Sequence, residues 1–203
     1  MNQRAMSPIL PRITSLLLPL ALMACSGEPA PPAEQPPLAG AQIGGPFTLT
    51  DKDGKTVRWD DFAGSWRTVY FGFTFCPDAC PIDMQALMAG FRKFEKSHPA
   101  LAAKVQPIFI SVDPERDGPK EVGQFAAHFH PRLIGLTGTP EQVNEAAKMF
   151  AVYHAKGNET AGGYLVDHSR VVYLMDPDGK PIAMLPVDKG PDAVAAELEK
   201  WVN

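Results

Sequence analysis

A chain of 203 residues with 45% hydrophobic and 21% charged residues can enclose one domain with a sizeable core. Its net charge is −4, and no basic run stands out, which argues against nucleic acid as a partner. Three cysteines limit any thiol chemistry to very few positions.

Arg4 and Arg12 precede an apolar run from Ile13 to Ala24, interrupted by Pro19 and too short to span a bilayer comfortably. It reads as an export signal. The run ends Leu22-Met23-Ala24-Cys25, which resembles the cleavage box of bacterial lipoproteins, so Cys25 is expected to carry lipid and become the new N-terminus. Several acyl chains on that cysteine would anchor the protein firmly. Residues 26–41 follow with five prolines in sixteen positions, a composition that reads as a stiff, extended tether. Losing residues 1–25 removes two arginines and no acid, leaving 17 basic against 23 acidic residues, a charge of −6. The folded domain is expected over residues 42–203.

Within it, Pro46-Phe47-Thr48-Leu49-Thr50 and Lys55-Thr56-Val57 read as two short strands joined by a turn at Asp53-Gly54. Asp51 and Asp53 lack the further ligands of a calcium loop. Arg67 to Phe73 reads as a buried central strand that breaks into the loop Cys76-Pro77-Asp78-Ala79-Cys80-Pro81. Met84, Leu87, Met88, Phe91 and Phe94 then recur at helical spacing up to about Ser97, before Pro99. Met84 and Met88 belong to that apolar stripe and read as core, not as thioether ligands.

Val105 to Val112 is a second buried strand, followed by Asp113, Glu115 and Asp117 in what reads as a solvated loop. A helix over Glu121 to Phe129, a brief strand at Leu133 to Leu136, and a helix opened by the capping box Thr139-Pro140-Glu141-Gln142 and reaching Phe150 come next. Gly157 to Gly163 reads as an exposed loop or hairpin insertion, Tyr164 to Met175 as one strand, Ile182 to Leu185 as its antiparallel return, and Asp192 to Trp201 as a closing helix. The alternation predicts an α/β sheet covered on both faces. A cysteine pair between the first long strand and its helix, with a closing hairpin and helix, is the plan of the thioredoxin-like fold; the N-terminal β-hairpin and the inserted helix and strand fit its peroxiredoxin-like elaboration.

With Cys25 assigned to lipid, Cys76 and Cys80 remain, and a lone pair in an exported protein reads by default as a structural disulfide. So small a loop, however, gains little from being bridged. Placed at a helix start, where free amides and the helix dipole favour thiolate, the pair can cycle through a disulfide or hold a soft metal ion. The thioredoxin motif has two residues between its thiols; here Pro77, Asp78 and Ala79 make three, which lets both sulfurs face a common centre.

Where thioredoxins place a proline beside their cysteines, this chain has Asp167-His168-Ser169. Cys76, Cys80 and His168 would form a three-coordinate site suited to Cu(I), with a fourth ligand admitting Cu(II). Structural zinc wants four ligands, and only three are evident. Asp78 and Asp167 stand as candidates for tuning the thiols and orienting the imidazole. His98, His128, His130 and His154 show no metal spacing with the thiols, and His128 with His130 reads as an exposed helix end. A peroxiredoxin-type peroxidase is disfavoured, since Phe73 and Pro77 stand where a threonine would precede the attacking cysteine.

The chain resembles the Sco (SenC) family of copper proteins that assemble cytochrome c oxidase. The resemblance lies in G-P-F-T-L-T from Gly45, Y-F-G-F-T from Tyr70, C-P-D-A-C-P from Cys76, V-Q-P-I-F-I-S-V-D-P-E-R-D from Val105, I-G-L-T-G-T-P-E-Q from Ile134 and Y-L-V-D-H-S from Tyr164. It implies one copper ion on Cys76, Cys80 and His168, delivered to the dinuclear copper centre of the oxidase's copper-binding subunit. It also implies a place on the periplasmic side of a bacterial membrane, the inner membrane ahead of the outer, with a periplasmic copper donor and a thiol reductant as further partners. The alternative is a thiol-disulfide oxidoreductase, with Cys76 and Cys80 redox-active, that keeps the oxidase's own copper-site cysteines reduced.

Overall fold

The computed structural model describes residues 34–160 and 163–203. Cys25, the export signal and residues 26–33 of the Pro-rich stretch therefore lie outside the described residues. Two short strands, β1 (Thr48–Thr50) and β2 (Thr56–Arg58), pair antiparallel around the Asp-Gly turn, whose Asp51 carboxylate caps the amides of Asp53 and Lys55, each at 2.9 Å. A 3-10 turn at Trp59–Phe62 leads into β3 (Trp66–Gly72), the centre of the fold.

After β3 come α1 (Ala79–Ser97), the single turn α2 (Pro99–Ala102), β4 (Val105–Ser111), α3 (Pro119–Phe129), β5 (Ile134–Leu136) and α4 (Pro140–Met149). The chain continues through β6 (His154–Thr160), β7 (Gly163–His168), β8 (Val172–Met175) and β9 (Pro181–Met184) to α5 (Pro191–Trp201). The central sheet runs β5-β4-β3-β8-β9, parallel across β5, β4 and β3 and antiparallel beyond. Every residue of β3 is buried, so the sheet is covered on both faces, as its unbroken apolar run requires. This is the thioredoxin-like arrangement expected, with the Cys loop at the carboxyl end of β3.

Local signals carry much of this. The capping box at α4 forms as read, with Thr139 Oγ1 accepting the Gln142 amide at 3.3 Å and Gln142 Oε1 accepting the Thr139 amide at 2.9 Å. α1 stops at Ser97, because Pro99 has no amide to continue the ladder and instead opens α2. Gly90 lets α1 lie against α5: a Cβ there would stand 2.6 Å from Val194 Cβ and 2.7 Å from the Pro191 carbonyl oxygen. Gly90→Ala will therefore lower stability by about 2 kcal/mol despite alanine's better helix propensity, read from urea denaturation. An unchanged midpoint would mean the two helices part without cost.

Three expectations are corrected. Tyr164 to Met175 is two strands, not one. In β7 only Val166 is buried, with Tyr164 and His168 half-buried on the same face, whereas all of β8 is buried. The alternating half belongs to a separate two-stranded ribbon with β6, in which His154 lies directly opposite His168; the continuous half belongs to the sheet. The Pro-rich stretch read as a tether also packs in part. Leu38 donates its amide to the Ile182 carbonyl at 3.0 Å and rests against the core, in a turn closed by the Ala39 amide on the Pro36 carbonyl and the Ala41 amide on the Leu38 carbonyl, each at 3.0 Å. Finally, His130 is no exposed helix end. It is buried beside Glu95 at 3.0 Å and edge-on to Phe91, while His128 stays exposed.

Candidate metal centre

The loop leaving β3 is held before it reaches the cysteines. Asp117 is wholly buried, and its carboxylate accepts the Thr74 amide at 2.8 Å, the Thr74 hydroxyl at 2.6 Å and the Ser111 hydroxyl at 2.6 Å. Burial raises its pKa, and these donors oppose the shift. Asp113, also buried, accepts Arg116 Nε at 2.5 Å and the Tyr164 hydroxyl at 2.7 Å, which ties the β6–β7 ribbon to the same loop. The acidic run after β4 is therefore not the solvated loop expected: only Glu115 of the three faces solvent. Neighbouring hydroxyls and a single bond from Arg116 Nε replace water around the two buried carboxylates.

Cys76 precedes α1 and is half-buried, with its sulfur accepting the Cys80 amide at 3.3 Å, a helix-start donor left open by the geometry of the first turn. Cys80, one turn further, is fully buried above β3. Gly72 makes the room: a Cβ there would sit 3.1 Å from Cys80 Sγ and closer still to the Tyr70 ring. Both thiols are free. Burial pushes the Cys80 thiol up to about 12, against an opposing hydrogen bond from the Phe73 backbone. The expectation that the helix start would favour thiolate fails at this cysteine, because losing water outweighs the dipole.

His168 closes β7 and turns its ring inward. Nε2 lies 3.1 Å from Cys80 Sγ, Nδ1 lies 3.1 Å from the Ser169 carbonyl oxygen, and the ring meets Tyr70 and Phe73 edge-on. Burial lowers the imidazole pKa, so the ring is neutral at pH 7. A carbonyl only accepts, so Nδ1 carries the proton and Nε2 presents its lone pair to the sulfur. A protonated Cys80 thiol donating to a prepared nitrogen ligand is what this geometry holds.

Among the described residues no group of three or more His, Cys, Asp and Glu stands closed around one point. Cys80 and His168 are paired, and Cys76 stands beside Cys80 with its sulfur on the Cys80 amide. Asp78 is exposed at the start of α1 and caps nothing with its side chain. Asp167 is exposed on the opposite face of β7, so the imidazole is oriented by the Ser169 carbonyl instead. Sequence reading missed Asp83 and Arg170. A buried carboxylate three residues after Cys80 receives Arg170 Nη2 at 2.7 Å, Arg170 Nε at 3.0 Å and the Tyr70 hydroxyl at 3.0 Å. The available signal was an acid within the apolar stripe of α1 and an arginine just before an apolar strand.

The family model described as SCO1/SenC matches residues 35–203. The chain belongs to that family. It is 42% identical over 172 residues to Protein SCO1 homolog 1, mitochondrial, of Arabidopsis thaliana, across 83% of this chain and 51% of that protein. To Protein SCO2 homolog, mitochondrial, of Mus musculus it is 45% identical over 144 residues, across 70% and 56%. The chain thus spans about half the length of these curated relatives.

Among solved structures, Arabidopsis thaliana ScoI with copper bound matches at TM-score 0.73 and 42% identity, over 78% of this chain and 96% of its own. Bradyrhizobium japonicum ScoI with copper bound matches at TM-score 0.71 and 38% identity, over 79% and 99%. BsSco, a Sco-family cytochrome c oxidase assembly protein in which a disulfide switch was identified, matches at TM-score 0.58 and 29% identity, over 83% and 96%.

Proposed function

We propose that this chain is a copper carrier that takes one copper ion on Cys76, Cys80 and His168 and passes it to the dinuclear copper centre of cytochrome c oxidase. The observation that carries the reading is the 3.1 Å approach of His168 Nε2 to Cys80 Sγ, two soft-metal donors from distant parts of the chain. Copper bound in two Sco relatives supports it. Two thiolates and an imidazole suit Cu(I), and the half-buried Cys76 leaves one ligand within a client's reach for ligand exchange. Phe75 and Ile82, 55% and 57% exposed beside the loop, offer a client apolar surface.

In the same reading a lipid on Cys25 holds the domain on the periplasmic side of a bacterial membrane, the inner ahead of the outer, supported by the Leu22-Met23-Ala24-Cys25 box. Copper would come from a periplasmic donor, and a thiol reductant would keep the cysteines open. The test is a Cu(I) titration of the reduced chain against a competing chelator, followed by mixing with an apo oxidase copper domain. One tight copper per chain, lost in Cys76→Ser and Cys80→Ser and transferred on mixing, is expected. Failure of both cysteine variants to change binding would end the proposal.

Because the Cys80 thiol keeps its proton far above pH 7, binding must expel it, so affinity rises with pH. Each proton released contributes about a tenfold gain per pH unit below the thiol pKa. Titrations at pH 6, 7 and 8 check the sign, and a flat profile would mean that Cys80 binds as the thiol or not at all.

A second reading, thiol-disulfide exchange, is favoured by the unequal exposure of the two sulfurs. Cys76 attacks a client disulfide, one client sulfur leaves as thiolate, and Cys80 then attacks the Cys76 sulfur and frees the second. The client gains two electrons, the chain keeps a Cys76–Cys80 disulfide, and an external dithiol resets it. Cys80→Ser would trap the mixed disulfide with an oxidised client. Absence of any trapped adduct would leave metal transfer alone.

A further inference from the structure

Cys80 and His168 lie 88 residues apart in sequence, so their contact depends on what holds α1 against the segment leaving β7. That segment, residues 169–171, has no regular partner: β7 ends at His168 and β8 begins at Val172. One side is held by Ser169, whose amide donates to the Tyr153 carbonyl at 2.9 Å and whose hydroxyl accepts the Tyr153 amide at 3.1 Å. The other side is held by Arg170. Its guanidinium grips Asp83 two-pronged, Nη2 on Oδ1 at 2.7 Å and Nε on Oδ2 at 3.0 Å. Asp83 sits three residues beyond Cys80 on α1, and Arg170 two beyond His168. Tyr70 completes the arrangement, with its hydroxyl on Asp83 and its ring edge-on to the imidazole.

We infer that Arg170 and Asp83 are positioning residues of the copper site: their forked ion pair fixes how His168 Nε2 meets Cys80 Sγ and so sets how slowly copper leaves. The inference rests on the copper-carrier reading above. Asp83 is 2% exposed while Arg170 is 53% exposed, so the pair sets the carboxylate's lost hydration against a half-solvated, screened partner and is a poor source of net stability. A planar fork on a carboxylate supplies direction, which an apolar contact lacks. Groups behind metal ligands commonly matter for retention by about 10- to 100-fold.

The test uses the reduced chain with Arg170→Ala, Arg170→Lys and a paired Asp83→Leu/Arg170→Leu variant, the last restoring packing without the fork. Cu(I) release into excess chelator is followed by absorbance, and the His168 ring nitrogens of the copper-free chain by long-range proton–nitrogen NMR. Arg170→Ala should release copper about tenfold faster, Arg170→Lys should fall between it and the unaltered chain, and the paired variant should stay fast even where its denaturation midpoint recovers. The ring nitrogens should shift from the single Nδ1-protonated form to a mixture. Release and ring signals unchanged in the paired variant would overturn the inference and leave a merely structural brace. If the unaltered chain holds no Cu(I), the carrier reading fails by itself, and the ring nitrogens of the copper-free variants still decide whether the fork sets the imidazole.

Discussion

Replacing His168 by alanine will weaken Cu(I) binding by at least about 100-fold, close to 3 kcal/mol, without unfolding the domain. Among the described residues the imidazole is the side-chain nitrogen seen at the Cys80 sulfur, neutral through burial and oriented by the Ser169 carbonyl, so it meets the metal with its lone pair already exposed. Its loss leaves two sulfurs and an open position that water fills poorly for a soft ion. The cost to the fold is modest. The ring is half-buried at the end of a two-stranded ribbon, and the thiol deprived of its acceptor is a weak donor. Chelator competition at pH 7 with parallel urea denaturation separates the two effects, and affinity within threefold of the unaltered chain would remove His168 from the ligand set.

Asp117→Ala will cost about 4 kcal/mol of stability, larger than any effect expected from a surface charge. The carboxylate satisfies one amide and two hydroxyls inside the fold, and each donor left without an acceptor carries a penalty of about 1–3 kcal/mol. Thr74, freed from Asp117, starts the loop that carries Cys76, so the variant should also show weaker copper binding than its residual fold would give. Asp117→Asn, which keeps one acceptor, should recover part of both. Denaturant midpoints of the three proteins measure the first effect. A loss under about 1 kcal/mol for alanine would show that water enters and replaces the carboxylate.

The legible parts of the fold were those written in local chemistry. The unbroken apolar run of β3, the proline stop after α1 and the capping box of α4 each depend on neighbours a few residues away. The split between β7 and β8 was not legible, since Tyr164-Leu165-Val166 is an unbroken apolar run in sequence and only the structure shows Leu165 exposed while Val172 to Met175 are all buried. Leu38 docking onto Ile182 was not legible, because the partner carbonyl lies far along the chain.

The candidate site divides in the same way. Spacing alone placed Cys76 and Cys80 at a helix start, and the thioredoxin-like plan put His168 opposite them. The families of charge around them were misread, because an acid in a sequence looks solvated until its donors are known. Asp117 and Asp113 found hydroxyls and an arginine, and Asp83 found Arg170 and Tyr70.

By itself the sequence determined most of the element order, short of the β7–β8 split, together with the thiol pair and the identity of the nitrogen facing it, since these follow from periodicity, turn chemistry and motif. Only the tertiary structure decided that Cys80 is buried, which pushes its thiol towards the protonated form, that His168 Nε2 faces that sulfur, and that the Cys76 sulfur rests on the Cys80 amide. Those facts depend on burial and on partners tens of residues away, and water removed by packing leaves no mark in any local stretch of chain.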